Sequence, residues 1–296
     1  MNNMVKILIT GGNGFIARNL TESLSKDNTV IALNSTQLNL LDSERVFDVI
    51  RQGKFDVVIH TATYDAAPKH STKDPSKVLE NNLKMFFHVA RCSEYFGRMI
   101  YFGSGAEFSR EHWIPKMRED YFDKYVPTDQ YGLSKYIMTQ YALEHPNIFN
   151  LRIFGLFGKY DDWRTRFIPN ACCHAVLDLP VRINQNVFFD FLYITDLEKI
   201  VKWFIENPPK YNIYNVCTGK AIDLKTLGES VIRISGKELS ININKEGIGR
   251  EYSGDNSRLL NEMKDFTFRS MNESIKELYE WYEENIPGDA YVKLTE

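Results

Sequence analysis

The chain has 296 residues, of which 43% are hydrophobic and 25% charged, with a formal net charge of −3. That length fills one large domain or two coupled lobes, and the composition is that of a globular protein. There is no basic excess or stripe, which argues against nucleic acid as a partner. No stretch approaches the roughly 20 apolar residues that span a bilayer, so no membrane partner is expected. The four cysteines, Cys92, Cys172, Cys173 and Cys217, form no C-x-x-C pair and no metal spacing. They read as thiols of a reduced compartment. The N-terminal apolar run from Val5 to Ile9 is broken by Lys6 and runs into glycines, unlike a secretory signal, so a cytoplasmic location is expected.

Short apolar runs alternate with helix-like segments through the first half. Strands are expected at Val5–Ile9, Thr29–Leu33, Asp56–His60, Met99–Phe102 and Asn150–Phe154. Between them, helical spacing covers Phe15–Ser25, a segment from Asp42 through Ile50, a long helix from Asp74 to Phe96-Gly97, and Gln130–Leu143. The acidic residues that open the second helix favour the positive end of its dipole. Such alternation builds βαβ units and a doubly wound parallel α/β sheet. Ligands of such sheets bind beyond the carboxyl ends of the strands. After Phe154 the alternation weakens to one strand-to-helix unit (Phe188–Ile205) and an amphipathic helix, Met271–Glu284. Residues 1–165 are therefore expected to form a dinucleotide-binding domain. Residues 166–296 are expected to be mainly a smaller α+β lobe that binds substrate over the sheet edge, with about 187–218 returning to the first domain.

The first strand runs into Thr10-Gly11-Gly12-Asn13-Gly14-Phe15-Ile16-Ala17. Both G-x-x-G-x-x-A from Gly11 and G-x-G-x-x-A from Gly12 fit. Glycines let the backbone approach a pyrophosphate, Ala17 lets helix and strand pack closely, and the helix N-terminus offers free N–H groups to phosphate. The second strand ends in Leu33-Asn34-Ser35-Thr36, with no carboxylate until Asp42. A carboxylate there would favour NAD(H); its absence leans toward NADP(H).

Tyr131 and Lys135 lie at i and i+4 and share a helix face. An ammonium beside a phenol favours the phenolate, which lets the tyrosine pass a proton to or from a carbinol oxygen during hydride transfer. With 16 tyrosines in the chain, about one Y-x-x-x-K pair is expected by chance, so context must carry the assignment. Ser104 supplies it, at the carboxyl end of the strand Met99–Phe102, where its hydroxyl can reach the reacting oxygen.

The chain resembles the extended short-chain dehydrogenase/reductases, the nucleotide-sugar epimerase, dehydratase and reductase superfamily. The resemblance rests on Thr10–Ile16, Val58-Ile59-His60-Thr61-Ala62, Gly103-Ser104, Tyr131-Gly132-Leu133-Ser134-Lys135 and Leu151–Gly158. It extends through Asp190–Leu197, Asp255-Asn256-Ser257-Arg258 and Trp281-Tyr282, and so covers nearly the whole length. It implies Ser104, Tyr131 and Lys135 as the catalytic triad, with Asn81 or Asn82 supporting the lysine side. The cofactor contacts expected are Gly11, Asn13, Gly14, Phe15, Ile16, Asn34, Ser35, Asp42, Ala62, Asn81 and Lys135.

Departures from the family pattern narrow the reading. Where 4,6-dehydratases carry an Asp-Glu pair, this chain has Gly105 and Ala106, which move no protons. The segment Leu38-Asn39-Leu40-Leu41-Asp42 is similar to the branch of GDP-fucose synthase and dTDP-4-dehydrorhamnose reductase. The epimerising cysteine and histidine of GDP-fucose synthase fall at Ala106 and near Arg166, with Cys172, Cys173 and His174 close in sequence. Gly155 replaces a common asparagine, and Phe189 a common arginine. A simple 4-keto reductase of a nucleotide-diphosphate sugar is expected. The rivals are an NAD-dependent 4-epimerase and a non-catalytic dinucleotide-binding regulator. Substrate contacts are expected from Ser104, Glu107, Arg166 and Arg250, with Arg164, Arg182 and Arg258 as further candidates for the diphosphate and Trp163, Phe167 and Phe188 for stacking on a base. The resemblance also implies a homodimer, through the helices at 78–93 and 131–143.

Overall fold

The computed structural model describes residues 4–68 and 70–295. In chain order the elements are β1 (Lys6–Thr10), α1 (Phe15–Leu24), β2 (Thr29–Leu33), α2 (Ser43–Gly53), β3 (Phe55–His60), α3 (Val78–Ala90), β4 (Phe96–Ser104), α4 (Gln130–Leu143) and β5 (Ile148–Ile153). There follow β6 (Gly155–Phe157), α5 (Phe167–Val176), β7 (Val181–Asn186), β8 (Phe188–Phe189), β9 (Phe191–Tyr193), α6 (Ile194–Glu206) and β10 (Ile213–Val216). The last are β11 (Ile222–Asp223), α7 (Leu224–Ser235), β12 (Ile241–Ile248), α8 (Ser257–Glu262), α9 (Met271–Asn285) and α10 (Ala290–Thr295). Two compact units result. The first holds the residues up to Trp113, Arg118–Ile153 and Glu198–Val216; the second holds Ile114–Met117, Phe154–Leu197 and the chain from Cys217 on.

The first unit is built on a six-stranded sheet in the order β10-β5-β4-β3-β1-β2. Every pair in it is parallel, the Rossmann-like α/β arrangement. Side chains alternate across each strand. Leu8, Val58, Tyr101 and Ile148 join Val46, Ile50, Phe86, Val89, Met138 and Ala142 of α2, α3 and α4 in one buried cluster. Their neighbours in sequence face the other way, where Phe149 and Tyr214 meet Phe204 of α6 at ring separations of 6.5 and 4.9 Å. Strand order reverses between β1 and β3, and in open α/β sheets ligands bind beyond the carboxyl ends of the strands at such a point.

Two boundaries differ from the sequence expectation. The helix anticipated through Phe96-Gly97 stops at Ala90, gives way to a 3₁₀ turn at Ser93–Tyr95, and Phe96 already begins β4. Gly97 belongs to the strand: a Cβ there would lie 2.7 Å from the Asp56 carbonyl oxygen on β3. The leading stretch of the first unit also runs to Ile153 rather than to about 165, before the unit resumes at Glu198. The short β6 pairs with β9 instead of extending the large sheet.

The second unit contains three strand pairs, β6 with β9, β7 with β12 and β8 with β11. Helices α5, α7 and α9 pack on one another. Helix α9 starts on a reciprocal capping box between Ser270 and Glu273. All four cysteines of the chain are buried thiols. Among the described residues no helix is long and apolar enough to cross a membrane.

Candidate active site

The loop between β1 and α1 is shaped for a close approach. Gly11 has φ +70°, and a Cβ there would sit 3.0 Å from the Ala62 Cα just past β3. Only glycine takes both the left-handed backbone and the contact. Gly14 donates its N–H to the Gly11 carbonyl at 2.8 Å. It is also the N-cap of α1, which has no side-chain cap and no acidic residue in its first turn. The N-terminus of α1 therefore keeps the first-turn N–H groups of Phe15 and Ile16 without a side-chain cap at a positive dipole end, which fits a pyrophosphate. Asn13 and Gly14 are exposed there.

At the end of β2, Asn34 organises its own turn. Its Oδ1 accepts from the Thr36 and Gln37 amides, at 3.0 and 3.1 Å, and its Nδ2 reaches Asn13 Oδ1 at 3.5 Å. Ser35 is exposed beside it. Asp42 caps α2 by accepting from the Arg45 amide at 3.0 Å, so one of its oxygens has a structural use. Asn81 is half-buried on α3, while its neighbour Asn82 is buried. Asn82 clamps the segment after β3, accepting from the Tyr64 amide at 2.8 Å and donating to the Tyr64 carbonyl at 3.1 Å.

Helix α4 carries Tyr131 and Lys135 on one face. Asp129 caps it by accepting from the Gly132 amide at 2.9 Å. Lys135 is buried, donates from Nζ to the Phe102 carbonyl at 2.8 Å, and holds its cation 5.8 Å from the centre of the Tyr131 ring. Burial lowers its pKa to about 8, against the opposing pull of the Glu107 carboxylate. His60, at the end of β3, touches Thr10 Oγ1 at 3.0 Å. Burial, with the Lys135 charge, pushes His60 down to about 3 and keeps it neutral.

Ser104 ends β4 and caps a 3₁₀ turn, Gly105–Phe108, its Oγ accepting from the Ala106 amide at 3.2 Å. That turn lies directly on α4: a Cβ on Gly132 would be 2.8 Å from the Ala106 carbonyl oxygen. Ser104, Tyr131 and Lys135 are thus brought to one place by a strand end, a turn and a helix face.

Glu107, expected to contact substrate, is instead engaged inside the protein. The chain turns at Gly105 instead of staying extended, and the carboxylate points inward with no exposure. Its Oε1 accepts from the Ser104 amide at 2.8 Å, and its Oε2 from Thr139 Oγ1 at 2.9 Å and Arg152 Nε at 2.8 Å. Sequence reading missed this partner of Arg152. The signal was present, since an arginine inside an apolar strand requires a buried carboxylate.

In the second unit, Arg166 and Arg250 are both exposed. Arg164 pairs with Asp162, and Arg182 donates to the Leu294 carbonyl at 3.3 Å. Cys172, Cys173 and His174, the residues nearest in sequence to an epimerase pair, are all buried in the second unit. Both thiols are fully buried, and burial pushes Cys173 up to about 12. His174 Nδ1 is occupied with the Pro180 carbonyl at 2.7 Å. The departures at Gly155 and Phe189 meet at one ring, that of Phe191. A Cβ on Gly155 would lie 2.7 Å from the Phe191 ring, and Phe189 stacks on that ring at 5.4 Å. Phe191 fills the space that a side chain at 155 would need.

The profile of a family described as "NAD dependent epimerase/dehydratase family" matches residues 7–217. The ADP-L-glycero-D-manno-heptose-6-epimerase of Nitratidesulfovibrio vulgaris is 22% identical over 264 residues, 78% of this chain and 81% of that protein. The structure of the GDP-mannoheptose C4 reductase of Campylobacter jejuni with NADP bound superposes with a TM-score of 0.81 at 19% identity, covering 96% of this chain and 99% of that one. The GDP-L-fucose synthetase of Naegleria fowleri bound to NADP gives 0.82 at 16% identity, covering 96% and 94%.

Proposed function

Since the chain belongs to the NAD-dependent epimerase/dehydratase family, we propose that it is an NADP(H)-dependent reductase of a nucleotide-linked 4-keto sugar, with a 6-deoxy sugar as the expected substrate. The observation that carries this reading is the buried Lys135 ammonium, held by the Phe102 carbonyl beside the Tyr131 ring at the strand end that presents Ser104. The glycine cradle at Gly11 and Gly14 and the uncapped N-terminus of α1 fit a nicotinamide dinucleotide. When bound, that cofactor supplies the hydride.

The residues of the chain do the rest. Ser104 orients the substrate carbonyl with a hydrogen bond. Tyr131 gives its phenolic proton to the oxygen as negative charge develops there, and the Lys135 charge stabilises the phenolate left behind. Gly105 and Ala106 offer no acid or base for the proton transfers of water loss, which supports a reductase over a dehydratase. NADP(H) rather than NAD(H) is supported by the turn Asn34-Ser35-Thr36, which holds no carboxylate against a 2′-phosphate. Arg250 and Arg166 are the arginines proposed for the diphosphate, whose oxygens a guanidinium fork matches. A homodimer and a cytoplasmic location complete the proposal.

Nicotinamide absorbance with a panel of nucleotide 4-keto-6-deoxy sugars, using NADPH and NADH separately, tests it. Oxidation of NADPH with one nucleotide series is expected. The heptose epimerase relative favours a second reading, a nucleotide-sugar epimerase. That would show product without net oxidation and a dinucleotide retained through purification.

A further inference from the structure

Glu107 and Arg152 form a salt bridge with no exposure of either side chain. Burying such a pair gains little stability over apolar residues of the same volume. Its connections are more informative. The one carboxylate accepts from the Ser104 amide and from Thr139 Oγ1. Thr139 lies one helical turn beyond Lys135, on the face that also carries Tyr131. Asn150 Nδ2 donates to Glu107 at 3.2 Å and to Thr139 at 2.7 Å. Arg152 lies against two rings, 4.3 Å from the centre of Phe108 and 5.3 Å from that of Phe122. Its Nη1 donates to Asn215 Oδ1 at 3.1 Å, and the Asn215 amide donates to Glu119 at 2.9 Å. Gly103 leaves room for the carboxylate, because a Cβ there would clash with Glu107 Oε1.

We infer that the Glu107–Arg152 pair is a positioning device: it locks the Ser104 turn onto the Tyr131–Lys135 face of α4 and so sets the spacing of the reacting groups. The inference rests on the catalytic assignment above. Neither side chain reaches substrate. Glu107 acts through Ser104 and Thr139, and Arg152 holds Glu107 in one rotamer. The Glu107 charge also opposes the fall in the pKa of Lys135 caused by burial.

The test uses two variants of the full chain. Glu107→Gln keeps shape and loses charge. E107L/R152M removes both partners, so no unpaired charge stays buried, and it answers the same question if the first variant fails to fold. Each is made alone and in a Ser104→Ala background, with NADPH binding as the check on folding. Glu107→Gln is expected to lower kcat about tenfold or more, with KM and NADPH Kd within about threefold. In the Ser104→Ala background the further loss should be under about threefold, because residues that act through one another are not additive. Full multiplicative losses, or an unchanged kcat, overturn the inference.

Two readouts on the free protein need no turnover, and they decide the matter if the wild type reduces no sugar or Ser104→Ala falls below detection. The Lys135 Nζ titration should move down by at least about half a pH unit in Glu107→Gln. The Ser104 amide should lose about tenfold in hydrogen-exchange protection in E107L/R152M. An inactive wild type with both changes present refutes the proposed reaction and keeps the positioning role. An active wild type with neither change does the reverse.

Discussion

A Cβ on Gly132 would stand 2.8 Å from the carbonyl oxygen of Ala106. The residue after Tyr131 is therefore packed against the turn that begins at Ser104. Gly132→Ala gains about 1 kcal/mol of helix propensity but overpacks this contact at about 1–3 kcal/mol. The expected result is a stability loss of about 1 kcal/mol by denaturant unfolding. Because the Ser104 turn must move off the helix, kcat should fall by about tenfold or more. Unchanged kinetics would show that the contact does not set the site.

Tyr131→Phe removes the proton donor and leaves the ring in place. Turnover should drop by about a hundredfold or more, while NADPH binding, followed by fluorescence, stays within about twofold. A retained rate would remove Tyr131 from the proposed mechanism.

The pH dependence follows from Lys135. Its pKa in the free protein is about 8, so its positive charge is complete below that pH and is lost as pH rises through it. Since kcat/KM reports the free enzyme, it should fall on the alkaline side with a midpoint near that value. His60, lowered to about 3, is neutral throughout and adds no limb near neutrality. An alkaline limb near 10 would place Lys135 in a wetter site than the one described.

Gly11→Ala tests the dinucleotide cradle. A left-handed φ of +70° costs an L-residue about 1–2 kcal/mol, and the new methyl meets the Ala62 Cα. Weaker binding of NADPH by about tenfold or more is expected, read by titration. Ser35→Asp probes the exposed turn after β2, where a carboxylate would repel a 2′-phosphate. It should weaken NADPH by about tenfold or more while sparing NADH. Equal effects on both would refute the preference assigned to this turn.

Much of the first unit was legible because its signals are local. β2 and α4 run over the residues expected, Thr29–Leu33 and Gln130–Leu143. The glycine loop and the Tyr131–Lys135 spacing carry their chemistry within a few residues. The end of α3 was misread because Gly97 looks like a helix stop, whereas it allows β4 to lie against Asp56. Glu107 was misplaced because its partner lies 45 residues away and the turn that points it inward has no periodic signal. In the second unit β8 and β11 are two residues each, too short for alternation to show, and they are set by pairing with distant chain, with each other and, for Phe189, with Tyr252.

The buried pair also constrains how this sequence can change. Loss of either Glu107 or Arg152 alone strands a charge in the interior at about 3–5 kcal/mol, a large share of the 5–15 kcal/mol that typically holds a protein folded. Loss of both together carries no such penalty. A descendant lineage would therefore keep the two residues as a unit or abandon them in near-simultaneous steps. A descendant that has lost only one should show a new charge or hydrogen-bonding group beside Phe108 and Phe122, where Arg152 lies.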